Sequence, residues 1–379
     1  MKYFLIAGEA SGDLHGANLM KGIKKADTSA EFRFFGGPLM EKEGGKLLKH
    51  YREMAFMGVF DVLKNLKTIR KNFRFCQEQL LAFRPDVLIL IDYPGFNLKM
   101  AEFAHRHGIR VFYYIAPKLW AWKAWRIKKV KAFVDEMFTI FPFETEFFAR
   151  YQYPVHYVGN PLLDAIGEAR KSFRRREDFL RDNRLGDKPV VALLPGSRRQ
   201  EIRLMLPVMS RLAAQHPDFQ FVISGAPAVD PQLYQTFSAD PALPVLNGQT
   251  YELLHHAFAA VVTSGTATLE TALLQVPQVV LYHMTSGKIP YRIFRRFFLK
   301  VNFVSLPNLV LGRGAVREFI VDEMKFELVN PEVNRLLHDE NYRRRILEAY
   351  REIGGRMGEA GASQQAAGQM TRLLRGESL

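Results

Sequence analysis

Cysteine is almost absent: Cys76 is the only one in 379 residues. No disulfide can form within the chain, and a reducing, cytoplasmic compartment is the default expectation. Long apolar runs are missing as well, and no stretch approaches the roughly 18 apolar residues of a membrane span. The opening MKYFLIAGEASGD is apolar only up to Gly8 and Glu9. That is too short for a secretory leader and reads better as a first buried strand. There is no D-x-D to hold a metal ion on a diphosphate, and no G-x-x-x-x-G-K-[S/T], because Ile289 follows Gly287-Lys288. The 10 histidines show no zinc-site spacing. Acidic residues are in deficit: 39 Asp and Glu stand against 53 Lys and Arg, a formal charge of +14. Such an excess favours polyanionic partners such as nucleic acid, anionic lipid or phosphorylated ligands, although a generic solubilising surface also accounts for it.

What is present is the composition of a globular protein, with 48% apolar and 24% charged residues. The length fits two domains. Short apolar runs alternate with longer amphipathic segments, the pattern of a parallel α/β sheet. In the first half the strand candidates are KYFLIAG, EFRFFGG, PDVLILID, IRVFYYIAP and EMFTIFP. A charged, helix-prone stretch at 167–188 breaks the alternation and is expected to link the domains. The pattern restarts with VVALLPGS, FQFVISG, AAVVTSG and PQVVLYHM. The expected architecture is therefore α/β, with two Rossmann-like domains facing a cleft, at 1–166 and 189–350. The tail, 351–379, is expected to be helical and to pack back on the N-terminal domain.

Ligands of such sheets gather at the carboxyl ends of the strands, and four strand ends carry chemistry. The first runs into GEASGDLHG, whose glycines let a backbone approach a ligand, though their spacing is not that of a dinucleotide fingerprint. Ser11, Gly12 and Asp13 are candidates to touch substrate there, or Asp13 and Ser11 to cap the following helix; His15 is expected to pack. LILIDYPGFN delivers Asp92 to a strand tip, where a partly desolvated carboxylate becomes a general base, unless it serves only to organise the Tyr-Pro-Gly turn. In VVALLPGSRRQEI, Ser197 and Arg198 stand where a strand gives way to a helix, a site suited to a diphosphate. In AAVVTSGTATLETALLQV the residues Ser264, Gly265, Thr266 and Ala267 open another helix, with Glu270 placed to grip a ribose diol or to balance the helix dipole.

GEASGDLHGANLM, IDYPGFN, APKLWAW, LLPGSR, TSGTATLE and FVSLPN occur in this order, and together they resemble lipid-A-disaccharide synthases, the glycosyltransferases of lipid A assembly in Gram-negative bacteria. The resemblance runs from residue 3 to about residue 325. It implies a glycosyltransferase-B fold and an inverting transfer of 2,3-diacylglucosamine from UDP to 2,3-diacylglucosamine 1-phosphate (lipid X), giving a β-1′,6 disaccharide 1-phosphate and UDP. It further implies that Asp92 and Arg198 are essential, that Ser264 to Glu270 lie at the nucleotide, and that Asn308 faces the donor. Many members carry a second aspartate where this chain has Gly95, so Asp92 is the one carboxylate of its motif here.

No cofactor and no metal are expected, and a homodimer is left open. A UDP-sugar 2-epimerase of the same fold is the alternative reading; a nucleic-acid-binding protein would explain the charge but not the strand-end motifs. Residues 289–300 divide into Tyr291, Ile293, Phe294, Phe297 and Phe298 on one helical side and Arg292, Arg295, Arg296 and Lys300 on the other. Such a segment suits the interface of an anionic inner membrane. Residues 59–81 split similarly, Val62, Leu63, Leu66, Ile69 and Phe73 opposing Lys64, Lys67, Arg70, Lys71 and Arg74, although any helix covering a sheet shows such a division.

Overall fold

The computed structural model describes residues 1–54, 65–120, 124–227, 229–283 and 303–379. It divides into two compact units, Met1–Pro161 with Glu359–Leu379, and Leu162–Gly358.

The first unit is built on β1 (Lys2–Ala7), β2 (Glu31–Gly36), β3 (Lys46–His50), β4 (Val87–Ile91), β5 (Arg110–Tyr114), β6 (Glu136–Thr139) and β7 (His156–Tyr157). These form a seven-stranded sheet in the order β3-β2-β1-β4-β5-β6-β7, parallel throughout. Helices cover both faces, which is why β4 reads as the unbroken apolar run VLILI with every residue buried. Alternate residues serve opposite faces. Phe4, Ile6, Leu88 and Leu90 pack with Cys76, Leu80 and Phe83 of the helix Leu66–Phe83 and with Met100 and Ala104 of the helix Pro94–Arg106. Tyr3, Leu5, Val87 and Ile89 pack with Leu19, Met20 and Ile23 of the helix Ala10–Ala26 and with Ala366, Ala367 and Met370 of the helix Ala362–Leu374. Each large apolar side chain buried this way contributes roughly 1.5–3 kcal/mol before entropy is counted. Connections run outward one way from β1 and the other way from β4, so the sheet reverses between them.

The second unit has β8 (Val190–Leu194), β9 (Gln220–Gly225), β10 (Val245–Asn247), β11 (Ala257–Thr263), β12 (Gln278–Tyr282) and β13 (Glu318–Ile320). They make a six-stranded sheet in the order β10-β9-β8-β11-β12-β13, again parallel. Here the reversal lies between β8 and β11. Two doubly wound α/β sheets are thus present, as the alternation of runs predicts.

The boundaries differ from those expected. Residues 167–188 are not a connector: they form the last turn of the helix Pro161–Arg170 and the whole of the helix Arg176–Asp182, both within the second unit. Arg174 pins this stretch, donating through Nε and Nη2 to the Glu252 carboxylate at 2.9 and 2.7 Å. The tail also splits later than residue 350. The helix Glu340–Met357 belongs to the second unit, and only residues from Glu359 onward belong to the first. Ala362–Leu374 lies against Ala10–Ala26 so closely that a Cβ on Gly22 would come within 2.7 Å of the Ala367 Cβ. Among the described residues no helix is long and apolar enough to cross a membrane. The segment 289–300 and the first part of 59–81, residues 59–64, lie outside the described residues.

Candidate active site

Asp92 sits where the first sheet reverses. Ala7 of β1 pairs with Ile91 of β4, so the tip bearing Gly8 and Glu9 lies beside the tip bearing Asp92. Both Asp92 and Tyr93 adopt left-handed backbone, with φ of 43° and 47°, a conformation that non-glycine residues hold only when their surroundings enforce it. The enforcement is visible. The Asp92 carbonyl accepts from Asn97 Nδ2 at 2.7 Å and from the Tyr113 hydroxyl at 2.6 Å, and the Tyr93 hydroxyl donates to the Met54 carbonyl at 2.6 Å. Burial raises the pKa of the Asp92 carboxylate, the nearby Lys118 opposes that rise, and Glu9 adds to it.

The GEASGDLHG loop divides its labour. Ser11 is exposed, whereas Gly12 is buried against Ala7, where a Cβ would approach to 3.2 Å. Gly8 makes room for the Tyr93 ring, which an added Cβ would meet at 2.3 Å. The loop's permissive backbone is thus used first by the Asp92 motif. Asp13 is 2% exposed and accepts from the amides of Gly37, Leu39 and Met40 at 2.8, 3.1 and 3.0 Å. It satisfies the otherwise orphaned N–H groups that open the helix Pro38–Lys42, not the helix that carries it. His15 is mostly buried, and desolvation lowers its pKa to about 4, so it is neutral at physiological pH.

In the second unit the reversal brings two candidate loops side by side, because Leu194 pairs with Val262. After β8, Gly196 takes φ +107°, and Ser197 and Arg198 are exposed before the helix Arg199–Ser210. Glu201 leans back over this loop, accepting from the Ser197 amide at 3.2 Å, with Arg198 Nη1 at 3.5 Å. After β11, Gly265 and Thr266 are exposed at the start of the helix Thr266–Leu273, and a Cβ on Gly265 would meet nothing within 4 Å. Ala267, half-buried in that first turn, accepts from the Thr271 hydroxyl at 2.7 Å. Ser264 donates to the Val304 carbonyl at 2.9 Å. Glu270 is desolvated, its pKa raised, and accepts from the Tyr251 hydroxyl at 3.0 Å. The buried hydroxyl of Thr263, at the tip of β11, has no hydrogen-bond partner among the described residues.

Asn308 is held by the turn before β13. It is 1% exposed, its Nδ2 donating to Val316 O and Glu318 Oε1 and its Oδ1 accepting from the amides of Ala315 and Val316. Every polar side-chain atom is engaged within the protein, and the side chain shapes the turn that precedes β13. Glu318 completes that turn by accepting from the Val304 and Ser305 amides and the Ser305 hydroxyl. Glu9, Lys118, Tyr251, Glu201 and Glu318 were not singled out by motif reading. Glu9 had a signal, since it follows the strand that neighbours Asp92's, and so had Glu201, three and four residues from Arg198 and Ser197; the others depend on contacts distant in sequence. Among the described residues no cluster of three or more His, Cys, Asp or Glu is placed to hold a metal ion.

With this geometry in view, the family model for Lipid-A-disaccharide synthetase matches residues 3–370. The chain is 37% identical to the lipid-A-disaccharide synthase of Myxococcus xanthus, covering 98% of this chain and 97% of that protein. It is 34% identical to that of Geobacter sulfurreducens, with the same coverage. The chain belongs to the lipid-A-disaccharide synthase family. As a family member it is a glycosyltransferase of lipid A biosynthesis: it transfers 2,3-diacylglucosamine from the UDP-linked donor to lipid X, forming the lipid A disaccharide 1-phosphate and UDP. Solved structures share its fold. The UDP-GlcNAc 2-epimerase of Neisseria meningitidis bound to UDP-GlcNAc aligns with a TM-score of 0.65 at 14% identity, covering 99% of each chain. CalG4, the calicheamicin glycosyltransferase, aligns with a TM-score of 0.59 at 16% identity, covering 99% of this chain and 98% of its own. The fold is therefore that of the glycosyltransferase-B class, and its epimerase neighbours reflect shared architecture, not shared chemistry.

Proposed function

We propose that in this synthase Asp92 is the general base that removes the proton from the acceptor's primary hydroxyl as that oxygen attacks the donor's anomeric carbon from the face opposite UDP, inverting it. The observation that carries the reading is the Asp92 turn itself. Strained backbone, two anchors on its carbonyl and a desolvated carboxylate at a sheet reversal are the means by which a side chain is held ready for proton transfer. UDP leaves with developing negative charge. Arg198 and the free amides opening at Gly265 and Thr266 supply fixed positive charge for its diphosphate. Ser197 and Ser264 flank these groups, Glu270 with Tyr251 behind it is the candidate for the ribose diol, and Ser11 is the exposed member of its loop for substrate contact. Asp13 and Asn308 are positioning residues.

Asp92→Asn tests the assignment. UDP binding by calorimetry should be unchanged while kcat falls by ~10²–10⁴, the range of general-base contributions. Retention of more than a third of the wild-type rate would make Asp92 a structural residue. We further propose that the enzyme works at the cytoplasmic face of the inner membrane, through the aromatic and basic residues of 289–300. The substrates' acyl chains and the charge of +14 support this reading. Light scattering of the purified protein decides between a monomer and the homodimer that the sequence leaves open.

A further inference from the structure

The helices Leu66–Phe83 and Pro94–Arg106 cover one face of the first sheet but do not close on each other at the end nearest Asp92. A cavity of about 480 Å³ opens there. Met54, Ile69, Phe73, Tyr93 and Phe96 line it, with Phe73 edge-on to Phe96 at 5.6 Å between ring centres. Sheet packing explains the buried Cys76, Leu80 and Phe83 further along the first helix. It explains Phe73 only in part, since that ring packs against the core yet stays half-exposed, and it leaves Ile69 half-exposed beside the apolar hollow. Three exposed cations, Arg70, Arg74 and Lys99, share the lining, and no Asp or Glu is among the described residues that form it. Like charges gathered without a counter-charge raise the local potential, and a bound anion relieves it. Gly95 lies in the same lining, and a Cβ there would meet nothing within 4 Å among the described residues, so these leave the side next to the Asp92 turn open.

We propose that this cavity is the acceptor subsite, taking a fatty-acyl chain among Ile69, Phe73 and Phe96 while Arg70, Arg74 and Lys99 hold the acceptor's phosphate. The ligand's identity rests on the transfer reaction argued above; the need for an anionic amphiphile rests on the cavity alone. The chemistry of the acceptor fits the placement. Its phosphate on C1 and its acyl group on C2 leave the sugar side by side, as the cations and the apolar wall require. The reacting hydroxyl on C6 lies across the ring, free to reach toward the carboxylate that immediately precedes Tyr93. The volume falls within the range of sites that bind small organic ligands, roughly 300–1,000 Å³.

The test uses the full chain and two variants. Ile69→Trp fills the cavity from a half-exposed position, and Arg70→Glu/Arg74→Glu reverses charge on exposed side chains. Acceptor binding is measured by calorimetry in neutral detergent micelles, and steady-state kinetics are run with each substrate varied. Both variants should weaken acceptor binding and raise acceptor KM about tenfold or more, the effect of losing some 1.4 kcal/mol, with donor KM unchanged. An acceptor without acyl chains should be indifferent to Ile69→Trp, and one without phosphate indifferent to the charge reversal. Unchanged acceptor binding in both variants overturns the proposal. So does a charge reversal that lowers binding to phosphatidylglycerol vesicles while leaving acceptor affinity intact, since the cations would then serve membrane lipid alone. If wild-type protein binds the acceptor with this sensitivity yet forms no disaccharide from the UDP donor, the transfer reading fails and the site stands.

Discussion

At the scale of single residues, the charges around Asp92 make its titration adjustable. The acid limb of kcat/KM reports the pKa of the base in the free enzyme, and activity is lost as pH falls through it. Burial and Glu9 push that pKa up and Lys118 pulls it down, so the limb should lie above the ordinary carboxylate range. Glu9→Gln removes a negative neighbour and should shift the limb to lower pH; Lys118→Met removes a positive one and should shift it to higher pH. A limb that stays fixed in both variants would mean that a different group titrates. Asp13 offers a contrasting case. Asp13→Ala strands two buried amides and a part-buried one, a buried one costing about 1–3 kcal/mol when unsatisfied, so thermal stability should fall sharply. Asp13→Asn, which keeps an acceptor oxygen, should lose less. A stable Asp13→Ala enzyme with a raised substrate KM would restore the substrate role read from the sequence.

Elements were legible in proportion to how completely they are buried. The apolar runs marked β1, β2, β4, β5, β6, β8, β9, β11 and β12, whereas β3, β7, β10 and β13 went unmarked. Those four are the four sheet edges. An edge strand pairs on one side only and stays partly exposed, so it needs no continuous apolar run; KLLKH of β3 has no fully buried residue. The site divides on similar lines. The strand-end positions of Asp92, Arg198 and Gly265 could be read, because a strand's tip follows from where its apolar run stops. The hydrogen-bond partners of Asp13 and Asn308 could not be read, because which atoms a side chain meets depends on segments folded against it from 24 and 8 residues away. Motifs also proved to be mechanical neighbours. Gly8→Ala should push the Tyr93 ring from its seat and displace the Asp92 turn, lowering kcat with the fold retained by circular dichroism. Adding Tyr93→Ala should recover part of the loss, a non-additivity that measures the contact. Strictly additive effects would show that the two loops act separately.

For the whole molecule, architecture narrowed function without fixing it, since an epimerase and an antibiotic glycosyltransferase share the same pair of sheets; membership in the family required the ordered motifs. The excess charge makes a prediction of its own. Co-sedimentation with anionic vesicles should be strong at low salt, weaken as the Debye length shrinks, and fall in Phe297→Ser/Phe298→Ser and in Arg295→Glu/Arg296→Glu. Binding unaffected by salt and by both variants would refute the interfacial role of 289–300. The helix Ala362–Leu374 has a further consequence. It supplies Ala366, Ala367 and Met370 to the first unit's core and shares a hydrogen bond between Ser363 and the Tyr114 hydroxyl at 3.2 Å. Those residues are translated only after all of Leu162–Gly358. On the ribosome the second unit therefore has its whole sequence first, while the apolar side of Ala10–Ala26 waits uncovered for its last partner, a window in which a chaperone or a protease meets the nascent chain.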